Sequence, residues 1–238
     1  PRDQARRRSR DRNRDRNRGM LILGLTGSIG MGKSEAAKKF RAHGAPVFDS
    51  DGVVHDLMAP HGEAFADILA LFPDVLNQGA IDRQKLGRAV FDDDGALRSL
   101  ESILHPRVRR KQEIFVKTCM NKGASMVVLD IPLLFETHAE TRCDAVAVAS
   151  APGFLQAQRV LARPGMSPEK FKSILARQVP DYIKRKRADF VISTGLGHGY
   201  AYRQIAVIIE TLRTRQGSQW PPGQHGHKKF DLYGNLHA

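Results

Sequence analysis

Met20-Leu-Ile-Leu-Gly-Leu-Thr-Gly-Ser-Ile-Gly-Met-Gly-Lys-Ser34 is the stretch on which the reading of this chain turns. Its first residues form a short apolar run, which predicts a buried strand over residues 20–25. A glycine-rich turn follows, and Lys33-Ser34 opens a helix expected to reach residue 43, with Ala36, Ala37 and Phe40 on its buried stripe. Gly27-x-x-x-x-Gly32-Lys33-Ser34 fits the phosphate-binding loop pattern at every fixed position, in the strand–loop–helix context that gives the pattern its meaning. Gly27, Gly30 and Gly32 carry no Cβ, so the chain can curl and turn its N–H groups inward around a polyphosphate. Ser28, Ile29, Met31 and Glu35 supply further amides of the same loop. The helix start adds its positive end, Lys33 can reach β- and γ-phosphates, and the Ser34 hydroxyl can ligate Mg²⁺. These residues imply a bound nucleoside triphosphate.

Working outward, residues 45–48 form a second short strand ending in Asp49-Ser-Asp51. Ligands of open α/β sheets sit beyond the carboxyl ends of the strands, which brings Asp49 and Asp51 towards the loop. A turn with a helix cap explains the same residues equally well. From residue 52 to about 122 the pattern is helical, with segments near 53–58, 63–72, 82–91 and 95–120, and Pro106 is expected to kink or restart the last. Residues 124–130 and 144–150 read as buried strands. Asp130, at the end of the first of these, is either a group holding Mg²⁺ through water or a strand-terminal acid without a special role. A helix over 153–162, another opened by Ser167-Pro168-Glu169, a basic helix after Pro180, a strand at 188–192 and a closing helix over 200–215 complete the order. Strands alternating with helices predict a doubly wound α/β sandwich of three layers around a five-stranded parallel sheet.

The chain of 238 residues has 41% hydrophobic and 26% charged residues, an ordinary globular composition. Residues 1–19 hold nine Arg and three Asp, so they contribute +6 of the formal +13 and leave +7 for the rest. That stretch reads as a disordered leader or a basic arm, and residues 216–238 as a disordered tail in which His225 and His227 are a weak metal signal. Cys119 and Cys143 show no metal spacing, no apolar run is long enough to cross a membrane, and no signal peptide is evident, so a cytoplasmic protein is expected. Arg159, Arg163, Arg177, Lys184 and Arg187 stud the region between the last two strands, as a lid closing over phosphates at about 163–187 would require. Arg163 is the preferred clamp. The residues alone leave two rivals open: a kinase for another nucleoside or nucleotide, and a nucleic-acid-binding NTPase suggested by the arginine-rich start.

Over residues 20–212 the chain resembles the dephospho-CoA kinase family. The resemblance rests on the loop, on Phe48-Asp-Ser-Asp51 followed by His55, and on Leu104-His-Pro106. It continues through Ile131-Pro-Leu-Leu-Phe-Glu136, Arg159, Arg163, Gln178 and Ala188-Asp-Phe-Val-Ile192. It implies phosphorylation of the 3′-hydroxyl of the dephospho-CoA ribose by Mg-ATP, with no nucleic-acid or membrane partner, in a monomer or weak homo-oligomer. It also implies that Asp51 activates the hydroxyl, that Asp49 assists with Mg²⁺, that His55, His105, Leu133 and Phe135 contact the acceptor, and that Arg159 and Thr194 contact ATP. Three places depart from the family pattern: Glu35 stands where Thr is usual, Ile183 precedes Lys184-Arg185, and Ser193-Thr194-Gly195 replaces an Asp-Asn-x-Gly.

Overall fold

The protein is described here by a computed structural model covering residues 19–91 and 93–220. Strand β1 (Leu21–Thr26) is the centre of a five-stranded parallel sheet. Its neighbours are β5 (Met126–Asp130) and β6 (Ala145–Ser150), with β2 (Val47–Asp49) and β7 (Phe190–Ser193) at the edges, in the order β2-β5-β1-β6-β7. Helices cover both faces, so the central strands are apolar at successive positions, as buried parallel strands must be. Leu21, Leu23 and Leu25 face one helical layer, made of α1 (Lys33–Ala42) and the closing α9 (His198–Arg213), where Phe40, Ile205 and Leu212 are buried. Ile22 points the other way, into a cluster with Val116, Cys119 and Val127. The expected three-layer architecture and its five strands are those observed.

Between β2 and β5 lie α2 (Ser50–Met58), α3 (Phe65–Leu71), α4 (Arg83–Phe91) and α5 (Asp94–Asn121). They bury a second, separate cluster that includes Leu57, Ile68, Val75, Leu86, Leu100 and Leu104. This region is not wholly helical: β3 (Leu76–Asn77) and β4 (Ala80–Ile81) pair antiparallel across Gln78 and Gly79, at φ 48° and 81°. Two successive left-handed residues match the right-handed strand twist of a two-residue hairpin. The helix does not restart at Pro106, because the 28-residue α5 runs on through it. Leu100 and Leu104 before the proline and Val116 and Cys119 after it are all buried, so packing on both sides outweighs the local penalty. Beyond β6 come α6 (Gly153–Leu161), α7 (Pro168–Ala176), capped by the Ser167 hydroxyl accepting from the Lys170 N–H, and α8 (Asp181–Arg187).

The tail expected from residue 216 begins later than that. Ser218 and Gln219 donate their N–H groups to Asp144 Oδ1 at 2.5 and 3.0 Å, while Asp144 Oδ2 accepts from Ile22 N–H at 2.7 Å. Trp220 packs on the cluster of Met20, Ile22 and Val116. Residues 216–220 are therefore part of the fold, held at the amino end of the sheet, away from the loop. Most of the expected leader and the rest of the tail, His225 and His227 included, lie outside the described residues. Trp220→Ala is expected to cost about 1–3 kcal/mol and lower Tm by about 3–10 °C with turnover unchanged, as a thermal melt beside an activity assay will report.

Candidate active site

The loop after β1 owes its shape to contacts on its outer side. Gly30 and Gly32 stand at φ 76° and 86°, and a Cβ on Gly32 would come within 2.8 Å of Thr194 Oγ1. A Cβ on Gly27 would lie 2.7 Å from the Ala149 carbonyl oxygen. The carbonyls face outward and each finds a donor: Gln156 Nε2 on Ile29 O at 2.8 Å, Arg159 Nη1 on Gly30 O at 3.3 Å, and Thr194 Oγ1 on Met31 O at 2.7 Å. Gln178 Oε1 accepts the Ile29 N–H at 3.1 Å. The first-turn N–H groups of α1 have no intrahelical acceptor and open on a cavity of about 550 Å³. Gly27, Ser28, Ile29, Gly30, Gly32, Lys33, Ser34 and Glu35 line it, with Asp51, Arg159, Arg163, Gln178 and Thr194. Met31 turns its side chain inward, where Sδ accepts the Ala151 N–H at 3.2 Å, so only its backbone belongs to the loop.

At the carboxyl ends of β2 and β5, acids gather around one ammonium. Lys33 Nζ donates to Asp130 Oδ1 at 2.6 Å and lies 3.8 Å from Asp51 Oδ2. Asp49 pairs with Asp130 in register across the two strands and caps α2 by accepting the Gly52 N–H at 3.1 Å. Burial pushes the Asp130 carboxyl above its ordinary value; Lys33 pulls the other way, and Asp49 and Asp51 add to the rise. Among the described residues no three His, Cys, Asp or Glu groups form a metal cage. Magnesium in phosphoryl-transfer sites takes one or two carboxylates and completes its shell with phosphates and water, so none is needed. Two carboxylates on one lysine, with Ser34 on the cavity wall, form a donor set that fits it.

The remaining expected residues divide. Arg159 and Arg163 reach the cavity, whereas Arg177, Lys184 and Arg187 do not. Arg177 donates to the Phe91 carbonyl and stacks 4.0 Å over its ring, Lys184 is buried beside Glu136, and Arg187 pairs with Glu140. The five cations thus do not form one phosphate-facing surface. His55 and His105 are exposed and lie off the cavity wall, with His55 Nδ1 3.3 Å from Arg83 Nη1. Phe135, expected to touch the acceptor, is a core residue at 2% exposure beneath Arg187, while the neighbouring Leu133 is 40% exposed. Apolar residues two apart on a turn point to opposite sides, and the sequence does not say which is inside. Gln156 escaped the sequence reading; its only signal is an amide on the otherwise apolar buried stripe of α6.

A phosphate loop on the central strand, a lysine flanked by two carboxylates, and arginines across a shared cavity define a P-loop kinase. The dephospho-CoA kinase family model matches residues 21–196. The dephospho-CoA kinase of Mesorhizobium japonicum is 50% identical over 84% of this chain and all of its own length. That of Paramagnetospirillum magneticum is 56% identical over 70% of this chain and 78% of its own. A solved structure from Thermus thermophilus superposes with TM-score 0.72 at 33% identity, covering 81% of this chain and 97% of that one. The dephospho-CoA kinase structure of Campylobacter jejuni, at 23% identity and TM-score 0.55, shares the fold. This chain belongs to the dephospho-CoA kinase family.

Gly32→Ala, strained at φ 86° and colliding with Thr194, is expected to weaken ATP binding more than about tenfold with the fold intact, as titration calorimetry beside circular dichroism will measure. Because Asp130 holds its proton longer folded than unfolded, its contribution to stability falls as pH rises through its raised pKa. Asp130→Asn removes that opposing slope, so Tm of the variant should climb more steeply than wild type above about pH 4.

Proposed function

We infer that the chain transfers the γ-phosphoryl group of ATP to the 3′-hydroxyl of the dephospho-CoA ribose, giving coenzyme A and ADP, the last step of coenzyme A synthesis. Family membership supports the substrates. The observation that carries the chemistry is Lys33, held between Asp130 and Asp51 in a cavity that Arg159 and Arg163 also line. Phosphoryl transfer asks the protein chiefly for position and for positive charge around the migrating group. The loop amides and Lys33 hold the β- and γ-phosphates. Arg163, exposed on the cavity wall, clamps the moving group, and Arg159 braces the loop and Thr194 behind it. Asp51, its side chain 70% exposed, accepts the proton of the hydroxyl as the new O–P bond forms and the bond to the ADP oxygen breaks.

Ser34, with Asp130 and Asp49 behind it, would hold Mg²⁺, which neutralises charge on the β- and γ-phosphates when it enters with ATP. Leu133 is the open apolar contact for the acceptor, while His55 and His105 meet it at the rim of the helical region, about 52–122. The enzyme works in the cytoplasm on these two small molecules, as a monomer or weak homo-oligomer, without nucleic acid. Among the described residues no helix is long and apolar enough to cross a membrane.

A coupled ADP-release assay tests the reaction: release must depend on dephospho-CoA, and the product must gain the mass of one phosphate. ADP release indifferent to dephospho-CoA, or stimulated instead by RNA, would overturn it. Asp51→Asn is expected to lower kcat by about 10²–10⁴-fold while the Kd for ATP moves less than about threefold. Near-normal turnover would remove Asp51 from the role.

A further inference from the structure

Among the described residues one lysine is completely buried. Lys184, on α8, has 0% exposure, and its Nζ lies 2.8 Å from Oε1 of Glu136. The same oxygen accepts the Val179 N–H at 2.8 Å. A buried ion pair is a poor device for stability, since apolar side chains of similar volume often do as well, so its use is better sought in what it holds in place. Val179 follows Gln178, whose Oε1 accepts the Ile29 N–H of the phosphate loop at 3.1 Å. Two residues beyond Val179, Asp181 Oδ2 accepts from Ser150 Oγ, at the end of β6, at 2.8 Å. The segment 178–184 is therefore tied to the phosphate loop, to β6, and through Glu136 to the stretch that follows Asp130.

We propose that Lys184 is a positioning residue: with Glu136 it fixes the segment 178–184 to the core, so that Gln178 holds the phosphate loop at Ile29 and the lid moves only over residues 163–177. The basic helix α8, which the sequence assigned to the lid, is its fixed foot. The moving part is the stretch with Arg163 at one end and Arg177 at the other. Arg177 reaches across to Phe91 at the end of α4, a contact between two surface elements. Opening at that contact leaves the Gln178–Ile29 bond intact, so the loop keeps its shape between turnovers. The proposal rests on the reading of the cavity as the ATP site.

Amide hydrogen exchange on the full chain, with and without a non-hydrolysable ATP analogue and Mg²⁺, tests both readings separately. Nucleotide should slow exchange in residues 27–35 and alter it in 163–177, leaving 181–187 unchanged. A change in 181–187 as large as that in 163–177 would overturn the fixed foot. Unchanged exchange in 27–35 would take away the ATP site itself, and the proposal with it. Kinetics provide the second readout. Lys184→Met should raise the KM for ATP about tenfold while kcat falls less than about threefold. Combining it with Glu136→Gln should bring that KM back to within about threefold of wild type, because the amide oxygen still accepts the Val179 N–H. A merely structural lysine would lower Tm and the active fraction, hence kcat, at unchanged KM, and that result would overturn the positioning role.

Discussion

The constraint on which the rest depends is the outward anchoring of the phosphate loop's carbonyls. A loop that offers N–H groups to a ligand must turn its C=O groups the other way, and buried carbonyls need donors. Gln156, Arg159 and Thr194 supply them from α6 and from the end of β7. That requirement explains why α6 and the end of β7 must reach the loop, and why Gly30 and Gly32 tolerate no side chain: Thr194 stands where a Cβ of Gly32 would be, and Val160 with the Gln156 backbone where one of Gly30 would be. The strand order follows the same need, because the central position of β1 lets neighbours on both sides reach its loop.

Charge is the second organising element. Asp130 sits at 4% exposure with Lys33 on it, at the foot of a site made to receive a polyanion. Without ligand, Lys33 needs a counter-charge, since an unpaired ammonium at 13% side-chain exposure is costly. A phosphate can take over that role, and Asp130 and Asp51 then face a lysine shared with the ligand. Burial raises the Asp130 carboxyl, and Asp49 and Asp51, which add to that rise, are carboxylates that suit a divalent cation. Carboxylates and lysine are thus mutually compensating before the ligand arrives.

Much of this was legible in the sequence, for physical reasons. The loop, Lys33, Ser34 and the placement of Asp49, Asp51 and Asp130 follow from local pattern plus the rule that sites lie past the carboxyl ends of strands. What escaped depends on direction within a turn or on distant packing. Asn77-Gln-Gly79 reads as a break between helices, and only its left-handed pair makes it a hairpin. Pro106 reads as a kink or a restart, and burial on both sides carries the helix through it. Lys184 reads as one cation among several on a basic helix. That it alone points inward is decided by Glu136, 48 residues upstream. Charge runs give composition along a surface and leave open which member turns away from it.

Glu35 shows how a departure from the family pattern is absorbed. An acid in the first turn of a helix is favourable for the helix dipole, yet beside a phosphate it would repel the ligand. Here the carboxylate, although on the cavity wall, is surrounded by cations: it accepts from Lys38 Nζ at 2.7 Å and lies 3.6 Å from Lys39 Nζ and 3.7 Å from His198 Nδ1. The hydrogen bond from Lys38, more than the other cations, holds its carboxyl below the ordinary value, so it stays ionised and stays with the lysines. Lys39 Nζ is in turn 3.2 Å from His198 Nδ1, and the acid becomes a brace between α1 and the first turn of α9. What the loop requires at residue 35 is a backbone N–H, which any residue except proline provides. The side chain is then free to differ from the family's threonine, provided that cations beside it neutralise its charge, as Lys38 and Lys39 do here.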